Sequence, residues 1–142
     1  MKLTAVLISL IFLISCNDDP KAPDVSNIKV EVPIERFDRS FFSLDTNNLS
    51  SGLRELMKTH PDFYVDFMQQ ILGVSGSDTN RVTLDVCKRF ISGYFPIYQE
   101  LNKKYNDAGL IQSDLQHGFR YVKYYFPQYK TGKAILFVGP LD

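Results

Sequence analysis

The chain has no tryptophan, only two histidines and two cysteines, and its 16 lysines and arginines are matched by 16 aspartates and glutamates. Each scarcity excludes something. His60 and His117 lie far apart, neither stands in an HExxH pattern, and no Cys/His cluster has zinc spacing. With zero formal net charge and basic residues scattered along the chain, no basic stripe is set to hold phosphates, so no nucleic-acid partner is expected. No Gly-rich phosphate loop occurs. Gly73-Val74-Ser75-Gly76-Ser77 places a serine between glycines, but the second glycine comes one residue early for a nucleophile elbow. A helical pattern, not a strand, precedes it, and the stretch reads as an interhelical loop. Long apolar runs are missing too. Residues 3–15 are uncharged, but as a helix they reach about 20 Å at ~1.5 Å per residue, short of a hydrocarbon core of ~30 Å.

That short run is the right size for the apolar region of a signal peptide, with Lys2 as its positive start. It ends Leu13-Ile14-Ser15-Cys16 and turns abruptly polar at Asn17-Asp18-Asp19-Pro20. The junction resembles the lipobox of bacterial lipoproteins: an aliphatic residue, a tolerant position, a small residue, then an obligatory cysteine. The resemblance implies cleavage before Cys16, a diacylglycerol thioether on its thiol, and a new amine open to acylation. One acyl chain holds a protein to a bilayer only marginally, and a diacylglyceryl group supplies the second. Residues 17–27, rich in Asp, Asn, Pro and Ser, lack the apolar content to fold and read as a flexible tether. Their acidic pair resembles the export tags of surface lipoproteins in Bacteroidetes. The expected organisation is a signal peptide over 1–15, lipidated Cys16 and tether over 16–27, and one domain over 28–142. With Cys16 taken by lipid, Cys87 has no disulfide partner and, beside an apolar helix face, reads as a buried, inert thiol.

Within the domain, Ile28, Val30 and Val32 alternate with Lys29 and Glu31, which predicts a short half-buried strand closed or extended at Pro33. Helical spacing then takes over. Leu49, Leu53, Leu56 and Met57 predict a helix capped from Asn47, Asn48 or Ser50 and ended by His60-Pro61. Pro61 opens a second helix running to Gly73. A third is predicted over 79–92 with Val82, Val86, Phe90 and Ile91 inward. Gly93 and Pro96 predict a break, and a fourth helix follows through Ile97, Leu101 and Tyr105. A fifth carries Leu115, Phe119, Val122 and Phe126 and stops before Pro127. Residues 134–138 form an unbroken apolar run bounded by Gly132 and Gly139, a buried strand. The fold class is mainly α with a few β-strands, about five helices with a short strand at each end. A domain that finishes on such a strand is expected to be incomplete.

No catalytic constellation emerges, and no catalytic, cofactor or metal residue is assigned. Glu35 and Asp38 near Arg36 and Arg39 have two readings, a catalytic acid pair or solvated ion pairs at a strand end, and the second is preferred. His60 is expected to cap a helix junction or face solvent, and His117, beside Gln116, to lie on the polar face of the fifth helix. The 11 phenylalanines and 8 tyrosines are the main resource. Phe41, Phe42, Phe63, Phe67, Phe90 and Phe119 are the expected core. Tyr64, Tyr94, Tyr98, Tyr121, Tyr124, Tyr125 and Tyr129 either join it or include an exposed contact patch for a partner. The repeated Tyr-Phe-Pro at 94–96 and 125–127 reads as two aromatic-proline helix junctions.

Several stretches together resemble the gliding-motility lipoprotein family GldB of Bacteroidetes. They are the lipobox at Cys16, Ile34-Glu35-Arg36-Phe37-Asp38, His60-Pro61-Asp62-Phe63-Tyr64 leading to Ile71-Leu72-Gly73, then Tyr125-Phe126-Pro127 and the closing strand. The resemblance implies an accessory of the gliding and secretion apparatus, anchored at the outer membrane on its periplasmic face or at the cell surface and acting on partner proteins of the envelope. It also implies a longer relative, more than twice this length, whose C-terminal half looks like a zincin-type metallopeptidase. Two expectations follow: a non-enzymatic binding lipoprotein, or the N-terminal part of a metallopeptidase whose zinc region lies beyond Asp142.

Overall fold

A computed structural model of the chain describes residues 22–76 and 79–140. Cys16 and the signal-peptide expectation lie outside the described residues. The elements in order are β1 (Ile34–Arg36), α1 (Phe37–Phe42), α2 (Leu49–Thr59), α3 (Pro61–Asp66, continued by a π-helical turn at Phe67–Ile71), α4 (Arg81–Lys104), α5 (Gly109–Tyr125) and β2 (Ala134–Leu136). The fold is mainly α with a small two-stranded sheet, as the sequence indicates.

The sheet joins the two ends of the domain. β1 and β2 run parallel, with Ile34 opposite Ala134 and Arg36 opposite Leu136. Pro33 cannot donate to a ladder, but its carbonyl accepts from Ala134 N–H at 2.9 Å, so pairing begins at the proline rather than ending there. This corrects the expected strand over 28–32. Its alternation is real in burial, with Val30 and Val32 buried between exposed Lys29 and Glu31, yet the segment pairs with no strand among the described residues.

Helix α1 was not expected. It buries Phe37, Phe41 and Phe42 in a single six-residue turn-and-a-half, too short for a periodicity to declare itself. The helices around His60-Pro61 form where expected, and Pro61 occupies the first turn of α3. At the far end Gly73, at φ 66°, lets Val74 N–H turn back to the Met68 carbonyl at 2.9 Å.

The predicted break at Gly93 and Pro96 is absent: α4 is one helix of 24 residues with Pro96 inside it. Interior proline removes a hydrogen bond and typically costs about 3 kcal/mol. Here Ser92, which loses its donor, and Pro96 both face solvent, where water can serve the freed carbonyl. The opposite face is stitched across the proline by stacked rings, Phe90 on Tyr94 at 4.4 Å and Tyr98 on Phe42 at 4.6 Å. The inward stripe of α4 is Thr83, Cys87 and Ile91, so Val82, expected inside, is 67% exposed.

Phe37, Phe41, Phe42, Tyr64, Phe67 and Met68 form the centre of the core, with Leu49, Leu53, Leu56, Cys87 and Ile91 around them. Phe63 and Phe90 pack against it half-buried, whereas Phe119 lies outside it and stacks on Tyr129 at 6.0 Å. Tyr64 is core rather than patch, at 2% exposure. Helix α5 contributes no buried residue.

Candidate functional site

Two polar clusters flank the sheet. In the first, the carboxylate of Glu35 on β1 is the hub. Its Oε1 lies 2.5 Å from His60 Nδ1, and Lys133, just before β2, donates to Oε2 at 2.6 Å. His60 Nε2 lies 3.0 Å from Ser40 Oγ on α1, and Lys133 also donates to Asp62 at 2.9 Å. His60 is therefore no side-chain cap. Its backbone carbonyl accepts from Tyr64 N–H at 2.9 Å, while its ring is drawn inward. Burial pushes the Glu35 carboxyl up, but hydrogen bonds and charge from Lys133 and His60 outweigh this and hold it below its ordinary value.

Carboxylate, imidazole and hydroxyl stand here in the order of a nucleophile relay. Ser40, however, lies within α1 with its hydroxyl also 3.5 Å from the Arg36 carbonyl, and the open groove described below does not border it. What the cluster does is fasten β1, α1, the α2–α3 junction and the approach to β2 to one another.

The second cluster joins β1 to the end of α4. Arg36 grips Asp38 with two parallel bonds, Nε to Oδ1 at 2.8 Å and Nη2 to Oδ2 at 2.6 Å. Its Nη1 donates to the carbonyls of Tyr105 and Asn106 at 2.9 and 3.1 Å. Arg39 donates to Asn102 Oδ1 at 3.1 Å and to both Asn106 oxygens. Two guanidinium groups thus satisfy orphan acceptors at the negative end of a long helix. The pair expected to be solvated is instead mostly buried, with side-chain exposure of 15% for Arg36 and 8% for Asp38. Acid and base partners also differ from sequence order: Glu35 pairs with Lys133 and His60, and Asp38 with Arg36.

Cys87 is fully buried, and desolvation pushes its thiol up to about 11. Iodoacetamide at pH 8 is accordingly expected to leave the native thiol unmodified. Thiolate depletion alone accounts for about a hundredfold slowing relative to an ordinary cysteine. Labelling should become rapid only when urea unfolds the chain, as intact-mass kinetics would record. His117 is exposed on α5 beside Tyr121, in keeping with its polar face. Among the described residues no group of three His, Cys, Asp or Glu side chains could hold a metal ion, and no helix is long and apolar enough to cross a membrane.

The remaining feature is apolar. An open groove of about 620 Å³ runs between the second half of α4 and the segment after β2, lined by Tyr94, Ile97, Leu101, Phe137, Val138 and Pro140. Ile97, Leu101 and Phe137 are 51%, 38% and 44% exposed, large side chains that a lone domain would ordinarily shelter. The sequence marks Ile97 and Leu101 only as spaced apolar positions of a separate fourth helix, which does not declare them surface residues. Of the expected tyrosine patch, Tyr94 and Tyr98 are half-buried in the ring stack, Tyr121 is half-buried, and Tyr124, Tyr125 and Tyr129 are exposed.

The described residues thus form a mainly helical domain with two polar clusters beside its sheet and one open apolar groove described above. The chain belongs to the family described as gliding motility protein GldB, whose model matches residues 18–142. It is thus a member of a gliding-motility lipoprotein family. Comparison with curated proteins and with solved structures gave no match.

Proposed function

We propose that the protein is an envelope lipoprotein, tethered through Cys16, which serves the gliding or secretion apparatus by binding a partner protein and carries out no catalysis itself. The observation that carries the binding role is the open groove, whose wall is almost wholly hydrocarbon and aromatic. Family membership supplies the setting, and the lipobox supplies the tether. The Glu35 and Arg36 clusters fit this role, because they brace the sheet from which the segment after β2 emerges and the end of α4, and that segment and α4 form the groove's two sides.

An apolar groove gains affinity by excluding water around a few anchors, and truncating such an anchor typically costs 2 kcal/mol or more, about thirtyfold. A photocrosslinking amino acid placed at Ile97 in the gliding bacterium is expected to capture an envelope protein. Phe137→Asp, which puts a charge into the groove from its other wall, should reduce capture about thirtyfold while leaving the thermal midpoint within a few degrees. Recovery of no envelope protein by the wild-type groove would contradict the reading.

A further inference from the structure

The end of α5 carries a second feature, independent of the groove. Between Asp114 and Asp142 the chain has no acidic residue, although acids and bases balance over its whole length. The same stretch holds Arg120, Lys123, Lys130 and Lys133. A count over the whole chain hides this local asymmetry.

The structure turns that stretch into an ordered tip. Residues 124–130 are exposed without interruption and include four rings, Tyr124, Tyr125, Phe126 and Tyr129, at 48%, 61%, 66% and 46% exposure. Phe126 N–H still donates to Val122 O at 2.8 Å as the helix ends, Pro127 follows, and Tyr129 N–H closes a turn onto Phe126 O at 2.9 Å. Stacking of Tyr129 on Phe119 braces the turn from behind. Lys133 is spent on Glu35 and Asp62, but Lys123 and Lys130, one on each side of the rings, have no ion-pair partner among the described residues.

We infer that this tip docks onto the anionic phospholipid surface of the bilayer to which the chain is tethered. Rings with an apolar body and a polar edge settle at the headgroup level of a membrane, and flanking lysines reach the phosphates with their charged ends while their stems lie along the apolar boundary. Charge complementarity selects this occupant: Lys123 and Lys130, the two cations flanking the rings without an ion-pair partner among the described residues, gain from a surface of negative charge. Such docking would set the orientation of the domain on the membrane and leave the groove, on other residues, free for its protein partner. The inference rests on the tethering proposed above for proximity only.

The test uses the full chain reconstituted into vesicles, with an environment-sensitive fluorescent amino acid at Gln128. Flotation reports tethering, and emission reports docking, so the two can fail separately. In vesicles containing phosphatidylglycerol the emission should shift to the blue and be quenched by brominated lipid. Pure phosphatidylcholine should give neither effect, and high salt should weaken both. Neutralising one cation near such a surface costs about fivefold, so Lys123→Gln with Lys130→Gln should lower the docked-to-undocked ratio about 25-fold. Both positions lie outside the core, so the fold is expected to survive. A protein that floats but shows the same emission in both lipids overturns the proposal. So does an emission shift that survives the double substitution undiminished, or one that appears only when envelope proteins are added to the vesicles.

Discussion

Phe37→Ala is expected to cost about 3–5 kcal/mol of folding stability, the range typical of emptying a phenylalanine site in a packed core. Phe37 is 0% exposed and meets four rings: Phe67 at 4.8 Å, Phe63 at 5.0 Å, His60 at 5.3 Å and Phe41 at 6.0 Å. Three of these approach tilted or edge-on, an arrangement in which aromatic rings attract one another beyond the area they bury. Because Phe37 begins the helix that directly follows β1, its loss also frees the backbone that positions Glu35 and Arg36. Urea denaturation should show the loss, and Phe95→Ala, at a half-exposed site, is the control, with a change below about 1 kcal/mol. Equal effects at both sites would mean that the aromatic centre of the core is misplaced.

Arg36→Ala is the second large effect, again about 3–5 kcal/mol, and it has a different cause. Removing the guanidinium leaves the Asp38 carboxylate buried without its counter-charge, and that orphan, more than the lost bond, dominates the cost. The end of α4 meanwhile loses the donors that served Tyr105 and Asn106. Arg36→Lys keeps the charge but not the two-pronged geometry and should recover only part of the loss. Combining Arg36→Ala with Asp38→Asn should also be milder than Arg36→Ala alone, since the uncompensated charge is gone. Thermal unfolding of these three variants and of Asp38→Asn alone measures this. A combination as unstable as the sum of its parts would show that Asp38 does not depend on Arg36.

Much of the fold was legible because local chemistry dictated it. His60-Pro61 divides α2 from α3 since a residue before proline is pushed out of helical geometry while proline suits a first turn. Gly73 ends the next helix because that turn requires positive φ. Two readings failed where distant contacts overrode local signals, and one element gave no local signal. Gly93 and Pro96 predict a break, yet the helix runs on through them, with rings from α1 and α4 packed on both sides of the proline. The strand was placed on the cleanest alternation, 28–32, whereas the ladder formed six residues later, where β2 could reach it. Helix α1 is too short to show a period at all. The clusters were less legible still. Glu35 and Ser40 are near neighbours, but His60 and Lys133 lie far from them along the chain, and only the parallel pairing of β1 with β2 brings Lys133 onto Glu35.

Cellular address, rather than fold, is what the proposed role depends on most. Intact-mass analysis of the protein extracted from membranes of the native bacterium tests it directly. The account predicts a mature chain that begins at Cys16 and carries the added mass of diacylglycerol, and predicts that Cys16→Ala abolishes both the cleavage and the modification. A chain recovered with Met1 and residues 2–15 still attached, or with Cys16 as a free thiol, would contradict it.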